Sequence, residues 1–342
     1  MKRSTVDYVD TKDALIRFAA AAIRFYLQHW PMAAGKTMLW QRLVRPYIVW
    51  RSLPVVAHTK FNMTVRGSFP DLIHSYLYFF GVWEPGISHV IAHHLRPGDT
   101  AIDIGANVGA HTMLAASIVG AEGRVYAIEA SPAIFKYLKE NLEYNGLRQV
   151  VAVNLAVWDH AAPTTVLLHT AHNLGRTTIV RQQADPRDVV EEMQVEGRPL
   201  AEIVPPDVVR AARLVKIDVE GAEWPVLQGM RELVSSLHNE CIVLVEVNSD
   251  ALAHFGASLP DVLYLFRSAG WQVLEIANSY KPDFYLRTLH PILSTDIRID
   301  SPVIDLGFCR PSVLRELLAR DRCGTLVAPI PTHDVVYADK IK

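Results

Sequence analysis

The run Ala101-Ile102-Asp103-Ile104-Gly105-Ala106-Asn107-Val108-Gly109 constrains this 342-residue chain more than any other feature, because a short apolar strand runs into a glycine-punctuated turn and then an apolar helix. Backbone that lies flat against a ligand cannot carry Cβ atoms at the points of closest approach, and Gly105 and Gly109 have none. A helix beginning near Ala110 directs its N-terminal amides and partial positive charge into the turn. The spacing, Asp-x-Gly-x-x-x-Gly, lacks the middle glycine of the Gly-x-Gly-x-x-Gly fingerprint, which admits a pyrophosphate. Asp103 adds an anion that would repel phosphate and suit a cationic or hydroxyl-bearing ligand. S-adenosylmethionine, with its ammonium and sulfonium, fits that description, whereas NAD as the cofactor of an oxidoreductase is disfavoured by the missing glycine.

Around this turn the hydrophobic pattern alternates between strand and helix. Strands are expected at 100–104, 124–129, 150–157, 213–219, 241–247 and 272–276, with helices at 110–119, 132–145, 222–236 and 260–269. Continuous apolar strands such as Cys241-Ile242-Val243-Leu244-Val245 are of the kind buried on both faces, so the expected fold is α/β with a doubly wound, mostly parallel Rossmann-like sheet. Between Trp158 and Ala212 the alternation lapses. Thr164–Leu168 and Thr177–Val180 read as a β-hairpin insertion with a flexible span around 182–196. The expected organisation is a helical N-terminal extension (1–66), a catalytic domain (67–290, insertion about 160–205) and a C-terminal extension (291–342).

Half of the residues are hydrophobic, ample for a buried core, and the net charge of −2 argues against a chain-wide nucleic-acid footprint. The charge is uneven: residues 1–66 hold eleven Lys and Arg against three Asp, about +8, leaving about −10 for the rest. Residues 12–30 read as a helix, and Trp30, Trp40 and Trp50 follow in a basic, aromatic stretch. It reads as a cap on the catalytic domain, or as a peripheral contact with an anionic membrane. A membrane-surface or scaffold protein with a vestigial nucleotide fold is the corresponding alternative for the whole chain. Asp7, Asp10 and Asp13 precede any apolar stretch and argue against a signal peptide. Three cysteines with no Cys-x-x-Cys spacing argue against a zinc site or a disulfide framework, so no metal and a cytoplasmic location are expected.

In an open α/β sheet the ligand crevice lies beyond the carboxyl ends of the strands. Glu129 closes the second strand 24 positions after Gly105, where an acidic side chain can accept from both ribose hydroxyls. Val157 and Asp159 follow the third strand and are placed to read an adenine edge, though Asp159 equally suits a turn. Asp218, Glu220 and Glu223 bring three carboxylates to the end of the fourth strand. That crowding is costly unless they are solvated or bound, and Glu223 equally suits a helix N-terminus. Glu246 and Asn248 reach the same edge.

Residues 71–248 resemble the FkbM family of class I S-adenosylmethionine-dependent methyltransferases in the order and spacing of their motifs. The matching pieces are Tyr78-Phe79-Phe80-Gly81-Val82-Trp83-Glu84-Pro85, Asp103 to Gly109, Ala127-Ile128-Glu129, Ala156-Val157-Trp158-Asp159, Lys216-Ile217-Asp218-Val219-Glu220-Gly221-Ala222-Glu223, and Val245-Glu246-Val247-Asn248. Two positions depart from the family: Ala130 replaces the proline of a Glu-Pro pair, and Asn248 the histidine of Glu-x-His. The resemblance implies O-methylation of a hydroxyl on a sugar, polyketide or related small molecule or glycan. It implies that Asp103, Gly105, Asn107 and Gly109 hold the methionine and ribose end of the cofactor, Glu129 the ribose diol, and Val157 with Asp159 the adenine. Asp218 would orient or deprotonate the acceptor, with Glu220 and Glu246 as partners and His111, His169 or His172 as alternative bases. Asn173, Arg176 and Glu223 are the expected substrate contacts.

Overall fold

Short apolar runs buried on both faces build the centre of the protein. In the computed structural model, which describes residues 11–30, 35–169, 189–286, 292–297 and 301–321, thirteen strands form three sheets. They are β1 (Pro54–His58), β2 (Thr64–Ser68), β3 (Thr100–Ile104), β4 (Arg124–Ile128), β5 (Val150–Val153), β6 (Ala156–Val157), β7 (Ala162–His169), β8 (Val189–Arg198), β9 (Ala212–Ile217), β10 (Ile242–Asn248), β11 (Gln272–Ile276), β12 (Leu293–Ser294) and β13 (Val303–Cys309). The large sheet has the order β12-β11-β13-β10-β9-β3-β4-β5. Strands β5, β4, β3, β9 and β10 pair in parallel, and β13 lies antiparallel between β10 and β11.

Alternation along the strands divides the core between two faces. Leu214, Leu244 and Leu274 pack with the helices Leu72–Phe80, Pro85–His94, Ala110–Val119 and Pro132–Tyr144. Ile102, Ile104, Val215, Val243 and Phe308 pack with Glu223–Met230 and Leu259–Arg267 on the other face. This is the doubly wound arrangement expected. Strands β3 and β11 and the helix Ala110–Val119 occupy the spans anticipated from the sequence.

Three expectations need correction. The strand expected at 150–157 breaks at Asn154, whose side-chain amide donates to the carbonyls of Glu129 (2.8 Å) and Ala130 (3.0 Å). A side chain competing for backbone partners ends the ladder there, and β6 leaves the large sheet to pair with β8. In the insertion, the partner of β7 is β8, so part of the span expected to be flexible is a strand. Its Met193, Val195 and Gly197 face inward between the exposed Gln194 and Glu196. The other expected hairpin strand, Thr177–Val180, lies outside the described residues. Finally, β13 comes from the C-terminal extension yet sits inside the sheet, with Ile304, Leu306 and Phe308 buried.

The basic N-terminal extension is docked on the domain. Its helix, Thr11–His29, packs Ile16, Ala20, Ile23 and Leu27 into the core. The β1–β2 hairpin is tied to the helix Pro132–Tyr144 and its C-terminal cap: the Asn141 and Asn145 side chains accept from the amides of Arg66 and Thr64, both at 2.8 Å.

Candidate active site

A cavity opens at the carboxyl ends of β3, β4 and β9, the edge on which a doubly wound sheet places its ligand. The turn after β3 forms one wall. It takes left-handed backbone at Gly105 (φ 80°), Asn107 (φ 50°) and Gly109 (φ 94°), and the Gly105 and Ala106 amides donate to the Ile128 carbonyl. The glycines make room for protein rather than for a ligand: a Cβ on Gly105 would stand 1.7 Å from the Asp218 carbonyl oxygen, and one on Gly109 would stand 2.8 Å from Leu138. Glu129 pins this turn. Its carboxylate accepts from the amides of Asn107 (2.9 Å) and Ser131 (2.8 Å), and burial raises its pKa to about 7 against the pull of those two bonds.

The turn after β9 forms the facing wall, again with left-handed backbone, at Glu220 (φ 51°) and Gly221 (φ 102°). Here Glu223 accepts from the amides of Gly221 (2.9 Å) and Val219 (3.3 Å). Burial raises its pKa to about 7 as well. Beneath the two turns, buried Lys216 lies 3.0 Å from Asp218 and 3.6 Å from Asp103. Burial alone would lower the proton affinity of this lysine, but Asp218, Asp103 and Glu84 reverse the effect and hold it above the usual lysine range. Asp103 also accepts from the Thr112 hydroxyl at 2.6 Å.

The third wall carries the protonatable groups. Glu84 takes left-handed backbone (φ 42°) and accepts from the Tyr280 hydroxyl at 2.7 Å. Burial, then the charges of Asp218 and Asp305, raise its pKa to about 8. The His111 Nε2 lies 3.8 Å from the Glu84 carboxylate and has no hydrogen-bond partner among the described residues. Burial, then Lys216, hold the ring well below the usual histidine range, against a bond to the Trp83 backbone. It is therefore neutral at pH 7 and offers Nε2 as a proton acceptor. Trp83 stacks on Tyr280 (5.2 Å, 22°).

Of the residues expected from the sequence, Gly105, Asn107, Glu129, Val157, Asp218 and Glu220 line this one cavity. Others stand off its wall. Asp103 is 4% exposed, below the turn rather than at the mouth, where Oδ2 accepts from Thr112 and Oδ1 faces Lys216 at 3.6 Å. Gly109 packs on Leu138. Asp159 is exposed beside His160, at 2.6 Å, which corrects the adenine contact. Glu223, expected at the substrate, is 1% exposed and holds its turn through Oε1, while Oε2 is buried with no hydrogen-bond partner among the described residues. Glu246 lies opposite Asp305 on β13. Burial, then the charges of Asp218 and Glu220, push its pKa well above the usual range. Asn173, Arg176 and His172 lie outside the described residues, as does the side chain of His169.

Glu84, Lys216 and Tyr280 were not among the expected site residues, yet all three line the cavity. Glu84 precedes Pro85 at a helix start, where an acidic residue reads as a dipole partner, and Tyr280 stands in no motif. Among the described residues, no three His, Cys, Asp or Glu side chains are placed to hold a metal ion.

Residues 103–273 match the family described as the methyltransferase FkbM domain. Among curated proteins, the chain is 32% identical over 113 residues to a protein-L-isoaspartate O-methyltransferase of Aeropyrum pernix, covering 33% of this chain and 42% of that protein. It is 34% identical over 85 residues to another of the same name from Ignicoccus hospitalis, covering 24% and 40%. The match thus spans about two-fifths of these relatives. Among solved structures, an S-adenosylmethionine-dependent methyltransferase from Aquifex aeolicus is 12% identical, covering 66% of this chain and 88% of that one, with a TM-score of 0.36. Fibrillarin of Aeropyrum pernix, solved with natively bound S-adenosyl-L-methionine, is 11% identical, covering 66% and 76%, with a TM-score of 0.36.

Proposed function

We propose, from the premise that the chain belongs to the FkbM methyltransferase family, that it methylates a hydroxyl oxygen of a small molecule or glycan. S-adenosylmethionine supplies an electrophilic methyl group. The residues present suit that cofactor. Glu129 keeps acceptor capacity for ribose hydroxyls beyond its two backbone bonds. Ile128, Ile134, Leu155 and Val157 line the cavity beside it, an apolar setting that suits an adenine ring. The backbone of Gly105 and Asn107 lines the same cavity.

His111, a neutral residue of the cavity lining whose buried Nε2 has no hydrogen-bond partner among the described residues, is the observation that carries the oxygen-acceptor reading. A hydroxyl must lose its proton as the new bond forms, and a positioned neutral imidazole takes it. The Glu84 carboxyl stands 3.8 Å away, oriented by the Tyr280 hydroxyl that donates to it at 2.7 Å. Asp218 and Glu220 orient the acceptor. Among the described residues the lysine of the cavity lining, Lys216, is paired with Asp218 and Asp103, which disfavours an anionic acceptor such as a carboxylate or a nucleic-acid phosphate. The names of the two curated relatives are consistent with transfer to oxygen. A reducing, cytoplasmic setting agrees with buried, unpaired Cys241 and Cys309.

The test is incubation with a metabolite extract and methyl-labelled S-adenosylmethionine, with the product identified by mass spectrometry. An O-methyl ether is the expected product, formed about a hundredfold more slowly by His111→Gln at unchanged cofactor affinity. An N-methylated or methyl-ester product would overturn the reading.

A further inference from the structure

The helix Thr11–His29 has two apolar faces where docking on the domain needs one. Ile16, Ala20, Ile23 and Leu27 face the core. Leu15 (70% exposed), Phe18 (75%) and Phe25 (65%) face away. With Ala22 they recur at spacings of three and four residues and so form a single stripe on the opposite side. Nearby, Leu43, Tyr47 and Trp50 are about half exposed or more. Large side chains left in water along a contiguous face mark an interaction surface.

Charge decides what covers it. From Ala14 to Pro70 the chain has eight Lys and Arg and no Asp or Glu. Arg42 and Arg45 are exposed. Two copies meeting through this face would bring like charges together, without the opposite-sign pairs that flank a self-complementary helix seam. Arginines beside exposed Phe, Trp and Tyr suit the interface of an anionic bilayer, where rings enter the headgroup boundary and guanidinium groups meet phosphates. No helix among the described residues is long and apolar enough to cross a membrane. The remainder of the chain, about −10, is repelled by the same surface, which orients the protein on it.

We infer that the stripe Leu15-Phe18-Ala22-Phe25, together with Tyr47 and Trp50, seats this protein on an anionic lipid surface, held by Arg42 and Arg45. The test is flotation of the full chain with vesicles of phosphatidylcholine alone or mixed with phosphatidylglycerol. The chain is expected to float with the mixed vesicles only and to be released by salt. Arg42→Gln and Arg45→Gln should each weaken partition about fivefold, and Phe18→Ser combined with Phe25→Ser should abolish it. The variants should keep the wild-type circular dichroism. Absence of flotation, or flotation unaffected by the arginine changes, would overturn the inference. So would a vesicle-free dimer that the Phe18→Ser, Phe25→Ser variant makes monomeric, because the occupant would then be a second copy.

Discussion

The turn after β3 and the turn after β9 are each pinned by one buried carboxylate accepting two backbone amides, and in each burial raises that carboxyl to about 7. Glu129 nevertheless lines the cavity, whereas Glu223 is 1% exposed and stands behind it. Position at a strand end therefore does not distinguish a ligand-binding acid from a bracing one; the distinction lies in which side of its turn the carboxylate occupies. Glu129 closes β4 and reaches across to Asn107 on the turn after β3. Glu223 opens the helix that follows its own turn and folds back beneath it.

The largest expected effect is at the joint of the two turns. Gly105→Ala puts a Cβ 1.7 Å from the Asp218 carbonyl at a backbone φ of 80°. Neither partner is a movable side-chain end, so a loss of about 4 kcal/mol or more in urea unfolding is expected, and cofactor binding with it. Gly109→Ala meets only the end of Leu138 and should cost less. Equal losses would break the claim that Gly105 joins the turns.

Glu223→Ala leaves the Val219 and Gly221 amides without their acceptor. A stability loss of about 2–3 kcal/mol is expected. Glu129→Gln keeps one acceptor oxygen but turns an NH2 donor toward the other backbone amide, and should cost about 1–2 kcal/mol in stability. Its effect should appear in calorimetric titration, as roughly tenfold weaker S-adenosylmethionine binding through loss of charge-assisted bonds. If Glu223→Gln weakened binding as much and Glu129→Gln did not, the roles of the two acids would be reversed.

The fold was legible because β3, β4, β9 and β10 are continuous apolar runs punctuated by Gly, Pro and Ser, signals that act within a few residues. The cavity wall was legible where it belongs to those strand ends, as at Glu129 and Asp218. What escaped depends on contacts across long separations. Glu84 meets Tyr280 across 196 positions, and β13 enters the sheet from beyond residue 300. Asp103 was misplaced for a related reason: Lys216, its buried counter-ion, lies on another strand. A carboxylate read without its partner looks available for a ligand.

The smallest effect is the most discriminating. Both acids have folded-state pKa values of about 7 against 4.5 for the free side chain. Between those values the folded protein binds more protons than the unfolded chain. Each acid's contribution to stability is therefore fully present below pH 4.5 and is lost as the pH rises through about 7. Unfolding free energies across that window should fall with rising pH less steeply in Glu129→Gln and in Glu223→Gln than in the wild type. Saturating S-adenosylmethionine separates the two. Ribose hydroxyls donating to Glu129 favour its charged form and lower its pKa, which flattens its share of the slope. Glu223 has no face on the cavity, and its share should persist. With cofactor bound, Glu129→Gln and the wild type should then run parallel, while Glu223→Gln stays shallower; a slope difference that vanished for Glu223→Gln instead would place the ligand-facing acid after β9.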